Sequence, residues 1–114
     1  MLATLTKLTE GLIVYPENMQ RNLALTLGMW NSQTVLLALI RKGLTREAAY
    51  ECVQRVAMNT WKSKHAGKTD ADFKTQLLAD PEIAGLLSRA ELDRLCNLDF
   101  HFKHVKTRFK KLGL

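Results

Sequence analysis

Only two cysteines, Cys52 and Cys96, occur in the 114 residues, too few for a disulfide framework. A reducing cytoplasm is the default expectation, with both thiols buried as small hydrophobes. Long apolar runs are missing too: the longest, Val35 to Ile40, falls far short of the roughly 20 residues of a membrane span. Met1 to Leu12 alternates apolar with polar residues and carries no basic leader, so it does not read as a signal peptide. No stretch has a convincing strand pattern, and there is no repeat, low-complexity tract or dividing linker. No glycine-rich phosphate loop is present. What remains is a chain 46% apolar with a mean hydropathy of −0.14. A core that buries about two-thirds of the unfolded surface is within reach at this length. The expectation is an all-α fold, a single compact domain of about six or seven helices.

Helical spacing carries that expectation. Leu2, Leu5, Leu8 and Leu12 form one apolar stripe, and no capping residue precedes it. Residues 1–14 therefore read as the end of a longer bundle helix, ahead of a domain over 15–114. Pro16 denies the preceding turn a donor, pushes Tyr15 out of the α region and suits the first position of a new helix. That second helix is expected from about Pro16 to Leu27, with Gly28 a weak point. The third, apolar on every side from Val35 to Ile40, reads as enclosed at the centre of the core. Lys42 suits the negative end of its dipole and Gly43 its C-cap.

Thr45 caps a fourth helix through about Lys62, with Ala49, Cys52, Val53 and Val56 on its inner face. Glu47 falls one place short of a strict capping box. Ser63 to Thr69 reads as a flexible loop. Thr69 with Asp72 starts a fifth helix through Leu78, and Pro81 opens a short sixth. Ser88 and Glu91 have capping-box spacing, predicting a helix to about Leu95. Asp99 caps the last helix, Gly113 ends it, and Phe102, Val105 and Phe109 form its buried stripe.

The search for chemistry is nearly empty. His101 and His104, three apart, could point the same way and bind a metal with Cys96 as third ligand. No acids or thiols complete the shell, and two polar residues at a helix edge is the stronger reading. His65 reads as a solvated loop residue, Ser32 as mid-helix and Ser88 as a cap. Neither cysteine has the histidine neighbour of an activated nucleophile.

The net charge of +6 is uneven. Residues 99–114 carry five basic groups, Lys103, Lys106, Arg108, Lys110 and Lys111, against the one acid Asp99. Such a patch could neutralise phosphates of a nucleic acid. It lacks interleaved aromatics outside the apolar stripe and any recognised binding motif. A solvated face favouring the helix C-terminus is the stronger reading, with docking against an acidic partner subunit as its variant.

Specific residues say more than periodicity. Gly11-Leu12-Ile13-Val14-Tyr15-Pro16-Glu17-Asn18-Met19 leads into Gln20-Arg21-Asn22-Leu23, then Ser32-Gln33 and Val35 to Ile40. Lys42-Gly43-Leu44-Thr45-Arg46-Glu47-Ala48-Ala49-Tyr50, Val53-Gln54-Arg55, Ala57-Met58 and Trp61 continue it. Leu77 to Ile83 and Ser88 to Leu92 complete it. From Gly11 onward the chain resembles the carboxy-terminal domain of adenylosuccinate lyase, in the fumarase/aspartase superfamily. It departs at Cys96-Asn97-Leu98-Asp99, where that family more often reads Phe-Asp-Pro-Glu.

The resemblance implies a parent enzyme of purine synthesis that eliminates fumarate from adenylosuccinate, giving AMP, and from the succinylated aminoimidazole carboxamide ribotide. It implies a homotetramer on a long helical bundle, active sites shared between subunits, and no metal or organic cofactor. The family's signature loop and catalytic histidine segments have no counterpart among these residues. No catalytic, cofactor or metal residue is therefore assigned, and the chain alone is expected to lack lyase activity. Purine-nucleotide substrates would be held mainly by other domains. Asn18 and Arg21 are the candidates for a pocket-side role, against local hydrogen bonding within the first turns of their helix. Two further classes are a basic nucleic-acid module and a noncatalytic helical interaction module using the leucine stripe.

Overall fold

Every regular element in the computed structural model, which describes residues 1–68 and 71–114, is helical. In chain order these are α1 (Leu2–Glu10), α2 (Pro16–Ala24), a 3-10 turn (Met29–Asn31), α3 (Ser32–Arg41), α4 (Arg46–His65) and α5 (Phe73–Ala79). Then come α6 (Pro81–Ala84), α7 (Arg89–Leu95), α8 (Asp99–Phe102) and α9 (Val105–Lys111). No strand occurs among the described residues. The all-α domain expected from the pattern is what forms. Among the described residues no single helix is long and apolar enough to cross a membrane.

The core is built between Asn31 and Leu92. Val35, Leu39, Ala49, Phe73, Leu77, Ile83 and Leu92 are completely shielded from solvent. Helix α3 packs along α4, α4 along α5, and α7 lies against α3. On α4 the buried residues are Ala49, Cys52, Val53, Val56 and Thr60, one stripe at helical spacing. Thr60 is silenced as a polar group because its hydroxyl donates to the Val56 carbonyl at 2.9 Å. The radius of gyration is 18.5 Å, against about 13 Å for a fully compact chain of this length. The excess comes from both ends: every residue of α1, α2, α8 and α9 is exposed.

Local signals place most caps. Thr45 Oγ1 accepts the Ala48 N–H at 3.3 Å, and Asp72 Oδ1 accepts that of Thr75 at 2.8 Å. Ser88 and Glu91 form the reciprocal capping box. Gly43, just past α3, adopts φ 105°, a conformation that costs an L-residue strain. The fifth helix starts at Phe73 behind Asp72; the expected start at Thr69 lies outside the described residues.

Several expectations are corrected. Helix α1 stops at Gly11 rather than running to Val14, because glycine and the β-branched Ile13 and Val14 hold the helix poorly. Leu12 thus leaves the stripe. Helix α2 ends at Ala24, short of Leu27, and the chain then takes two left-handed residues, Leu27 (φ 50°) and Gly28 (φ 84°). Ser32 opens α3 instead of lying within a helix. Helix α3 is not enclosed: Gln33, Leu37 and Arg41 share an open side, since α4 and α7 cover the others. Helix α4 reaches His65, so the loop expected from Ser63 is helical there, with the His65 ring edge-on to Trp61 at 4.9 Å. Cys52 is buried as expected, but Cys96 only half so.

The tail differs most. Lys103 and His104 split it into α8 and α9, and Asp99 begins α8 without capping it. Asn97 Oδ1 instead accepts the Asp99 N–H at 2.9 Å, and its amide donates back to the carboxylate at 3.1 Å. Phe102, Val105 and Phe109 are all exposed. An amphipathic stripe is buried only if another element reaches it, and the core ends before the tail begins.

Acid titration tests the capping box. Lys42, at 2.6 Å, and then the Ser88 amide and hydroxyl pull the Glu91 carboxyl from 4.5 down to about 2. A carboxyl whose folded pKa is depressed stabilises above its unfolded pKa, and that stability fades as pH falls through the folded one. Urea midpoints should therefore fall between pH 4.5 and about 2. Glu91→Gln should start lower at neutral pH and lose less across that window; parallel acid limbs would refute the role given to Glu91.

Candidate functional site

The residues singled out for a pocket-side role sit on α2. Pro16 occupies its first turn, with Tyr15 at the N-cap outside the helical region (φ −112°, ψ 86°) and contributing no side-chain cap. The spacing of Asn18 and Arg21 puts both on one helix face. The local hydrogen bonds that would have tied them down are not made. Among the described residues neither side chain has a hydrogen-bond or ion-pair partner, and both are exposed. Asn18 also lines a cleft of about 380 Å³ at the break, with Val14, Tyr15, Pro16 and Glu17.

Helices α1 and α2 form an arm with no buried residue. Leu2, Leu5 and Leu8 are bare on α1, as is Met19 on α2. The core holds this arm by its backbone. The Lys64 ammonium donates to the Leu25 carbonyl while lying 5.1 Å from the Trp61 ring centroid. The Phe73 amide donates to the Leu27 carbonyl at 2.8 Å. The polar face of α2 is thus aimed by the start of α5 and the end of α4.

The core also carries an ion-pair cluster the sequence did not announce. Arg55 reaches Asp80 Oδ2 through Nε at 3.1 Å and Nη2 at 3.0 Å, and Glu82 Oε2 at 2.9 Å. That contact holds the Glu82 carboxyl below its ordinary value. Burial, and then the nearby Glu82 carboxylate, push the Cys52 thiol up, which disfavours its thiolate form. Asp80 also caps α6 just before Pro81; its partner on α4 stands 25 residues away.

The metal reading of His101, His104 and Cys96 finds no support: among the described residues no group of three or more His, Cys, Asp and Glu could hold an ion. His101 is occupied with aromatic edges, Trp30 at 5.8 Å and Phe100 at 5.6 Å. Burial also raises the Cys96 thiol. The five basic groups of residues 99–114 are exposed, and none joins an ion pair among the described residues. Lys103 lies 4.1 Å from the Phe100 ring centroid.

Fold and site together define an all-α domain that displays a polar helix face on an arm stripped of apolar cover. The model of a family described as adenylosuccinate lyase C-terminus matches residues 28–112. The chain is 40% identical over all 114 residues to adenylosuccinate lyase of Streptococcus mutans, and equally to that of Bacillus subtilis. To that of Thermotoga maritima it is 41% identical over 112 residues, 97% of the chain. It belongs to the adenylosuccinate lyase family, as a carboxy-terminal domain. The chain spans about a quarter of the length of these relatives.

Proposed function

We propose that this domain braces a lyase which releases fumarate by β-elimination, acting on adenylosuccinate and on the succinylated aminoimidazole carboxamide ribotide. In that reaction a base takes the proton beside a carboxylate, the carbon–nitrogen bond breaks, and the nitrogen leaves with a proton from an acid. The observation that carries this reading is the 40% identity along the whole chain. The base and acid are assigned to other domains, and no cofactor is invoked. Helix α1 would pack as part of a bundle, which covers its bare leucines, and residues 15–114 would form the capping domain. A cytoplasmic homotetramer is the assembly this implies.

Asn18 and Arg21 are proposed to face the substrate pocket, since none of the described residues occupies their side chains. Substrate is polyanionic, and a guanidinium making a charge-assisted contact with it contributes to binding. Arg21→Ala in the complete enzyme should therefore lower kcat/KM by about ten- to a hundredfold with the melting temperature unchanged. Lost stability with unaltered kinetics would assign Arg21 to bracing instead. Fumarate release by the 114-residue chain alone should be nil; turnover that survives repeated purification would overturn the division of labour.

A further inference from the structure

A cleft of about 310 Å³ opens where the end of α3 meets α7, lined in part by Arg41 and Lys42 from one side and Glu91 and Arg94 from the other. Its apolar lining includes Ala38, 8% exposed, and Leu87, 2% exposed, so the floor is part of the core. The volume falls at the lower end of the range that small-molecule sites occupy, about 300–1,000 Å³.

The four charged groups are not equivalent. Lys42 reaches Glu91 Oε1 at 2.6 Å, and Glu91 Oε2 accepts the Ser88 N–H and hydroxyl, each at 2.9 Å. That pair cancels, with both carboxylate oxygens engaged. Arg94 donates its Nε–H to the Ala90 carbonyl at 3.4 Å, a contact that leaves its two Nη groups over. Neither Arg94 nor Arg41 reaches a carboxylate among the described residues. Three cations against one acid give the lining an excess of positive charge, carried by these two guanidiniums.

Each arginine stands in the last turn of its own helix, where the dipole alone favours a cation. The dipole does not explain why two helices deliver theirs to one cleft over an apolar floor. A guanidinium presents paired N–H donors that match the oxygens of a carboxylate or phosphate. A cation would meet net positive charge, and a neutral apolar molecule would leave both guanidiniums unused.

We infer that the cleft binds a small organic oxyanion, a carboxylate or phosphate monoester with an apolar body. Arg41 and Arg94 hold the oxyanion, and the apolar body rests over Ala38 and Leu87. The site is independent of the lyase reading and would stand if that reading failed.

The test is a calorimetric titration of the 114-residue chain with phenyl phosphate and with benzoate at matched ionic strength. Saturable binding of at least one is expected, with a Kd of about 1 mM or tighter, and the tighter binder names the oxyanion. Inorganic phosphate, a charge without the ring, and benzyl alcohol, a ring without the charge, should each bind at least about tenfold more weakly. Arg41→Gln and Arg94→Gln should each weaken binding about tenfold. Arg108→Gln, which removes an equal charge from the tail, should leave it unchanged. All three positions are exposed, so the fold should hold in each variant. No saturation by either ring-bearing anion, equally tight binding of inorganic phosphate, or a loss in Arg108→Gln matching that at Arg41 and Arg94 would sink the inference.

Discussion

Truncating Phe73 to alanine is expected to lower the unfolding free energy by about 3–5 kcal/mol, the largest loss from a single side chain here. Phe73 is completely buried at the head of α5, and its Cβ sits 3.8 Å from where a Cβ on Gly28 would stand. It fills the space under the left-handed Leu27–Gly28 turn. Alanine keeps the N–H that bonds the Leu27 carbonyl, so the loss would come from packing and the cavity rather than from a broken backbone link. Small domains hold only about 5–15 kcal/mol in total, so the variant should unfold at far lower urea concentration. Circular dichroism at increasing urea measures this. A change below about 1 kcal/mol would mean that the turn collapses to fill the space.

The second large effect is expected at Asp80. Its Oδ1 accepts the N–H groups of Glu82 and Ile83 at 3.2 and 3.3 Å, capping α6, while Oδ2 takes Arg55. Asp80 thus ends α5, starts α6 and ties both to α4. Loss of an N-cap alone costs about 1–2 kcal/mol. The Arg55 side chain is 47% exposed, and exposed pairs contribute little in water and salt. Asp80→Ala should therefore cost much more than Arg55→Ala, and Asp80→Asn, which can still cap, should recover most of the difference. If the asparagine variant is as weak as the alanine one, the ion pair rather than the cap holds this corner.

These two residues show what the sequence could and could not disclose. Caps were legible because their chemistry is complete within four residues: Thr45 with Ala48, Ser88 with Glu91. The inner face of α4 was legible because periodicity on a long helix marks burial well. The stripe of Phe102, Val105 and Phe109 misled, since the same periodicity marks any apolar face, covered or bare. Helix α3 misled in the opposite sense: an all-round apolar run still left Leu37 outside. The Arg55 network was hidden because its members are 25 and 27 positions apart, joined only by the fold. Of the candidate site, Asn18 and Arg21 stood out through family resemblance, and their lack of local partners required the structure.

The way the core grips the arm has an evolutionary corollary. Both grips land on main-chain carbonyls, those of Leu25 and Leu27, which every amino acid supplies. Drift in the side chains at those two positions leaves the acceptors in place, so the joint is blind to their identity. Selection at this junction should instead concentrate on Lys64, the side chain that grips among the described residues, and on Gly28, the residue that lets the backbone turn.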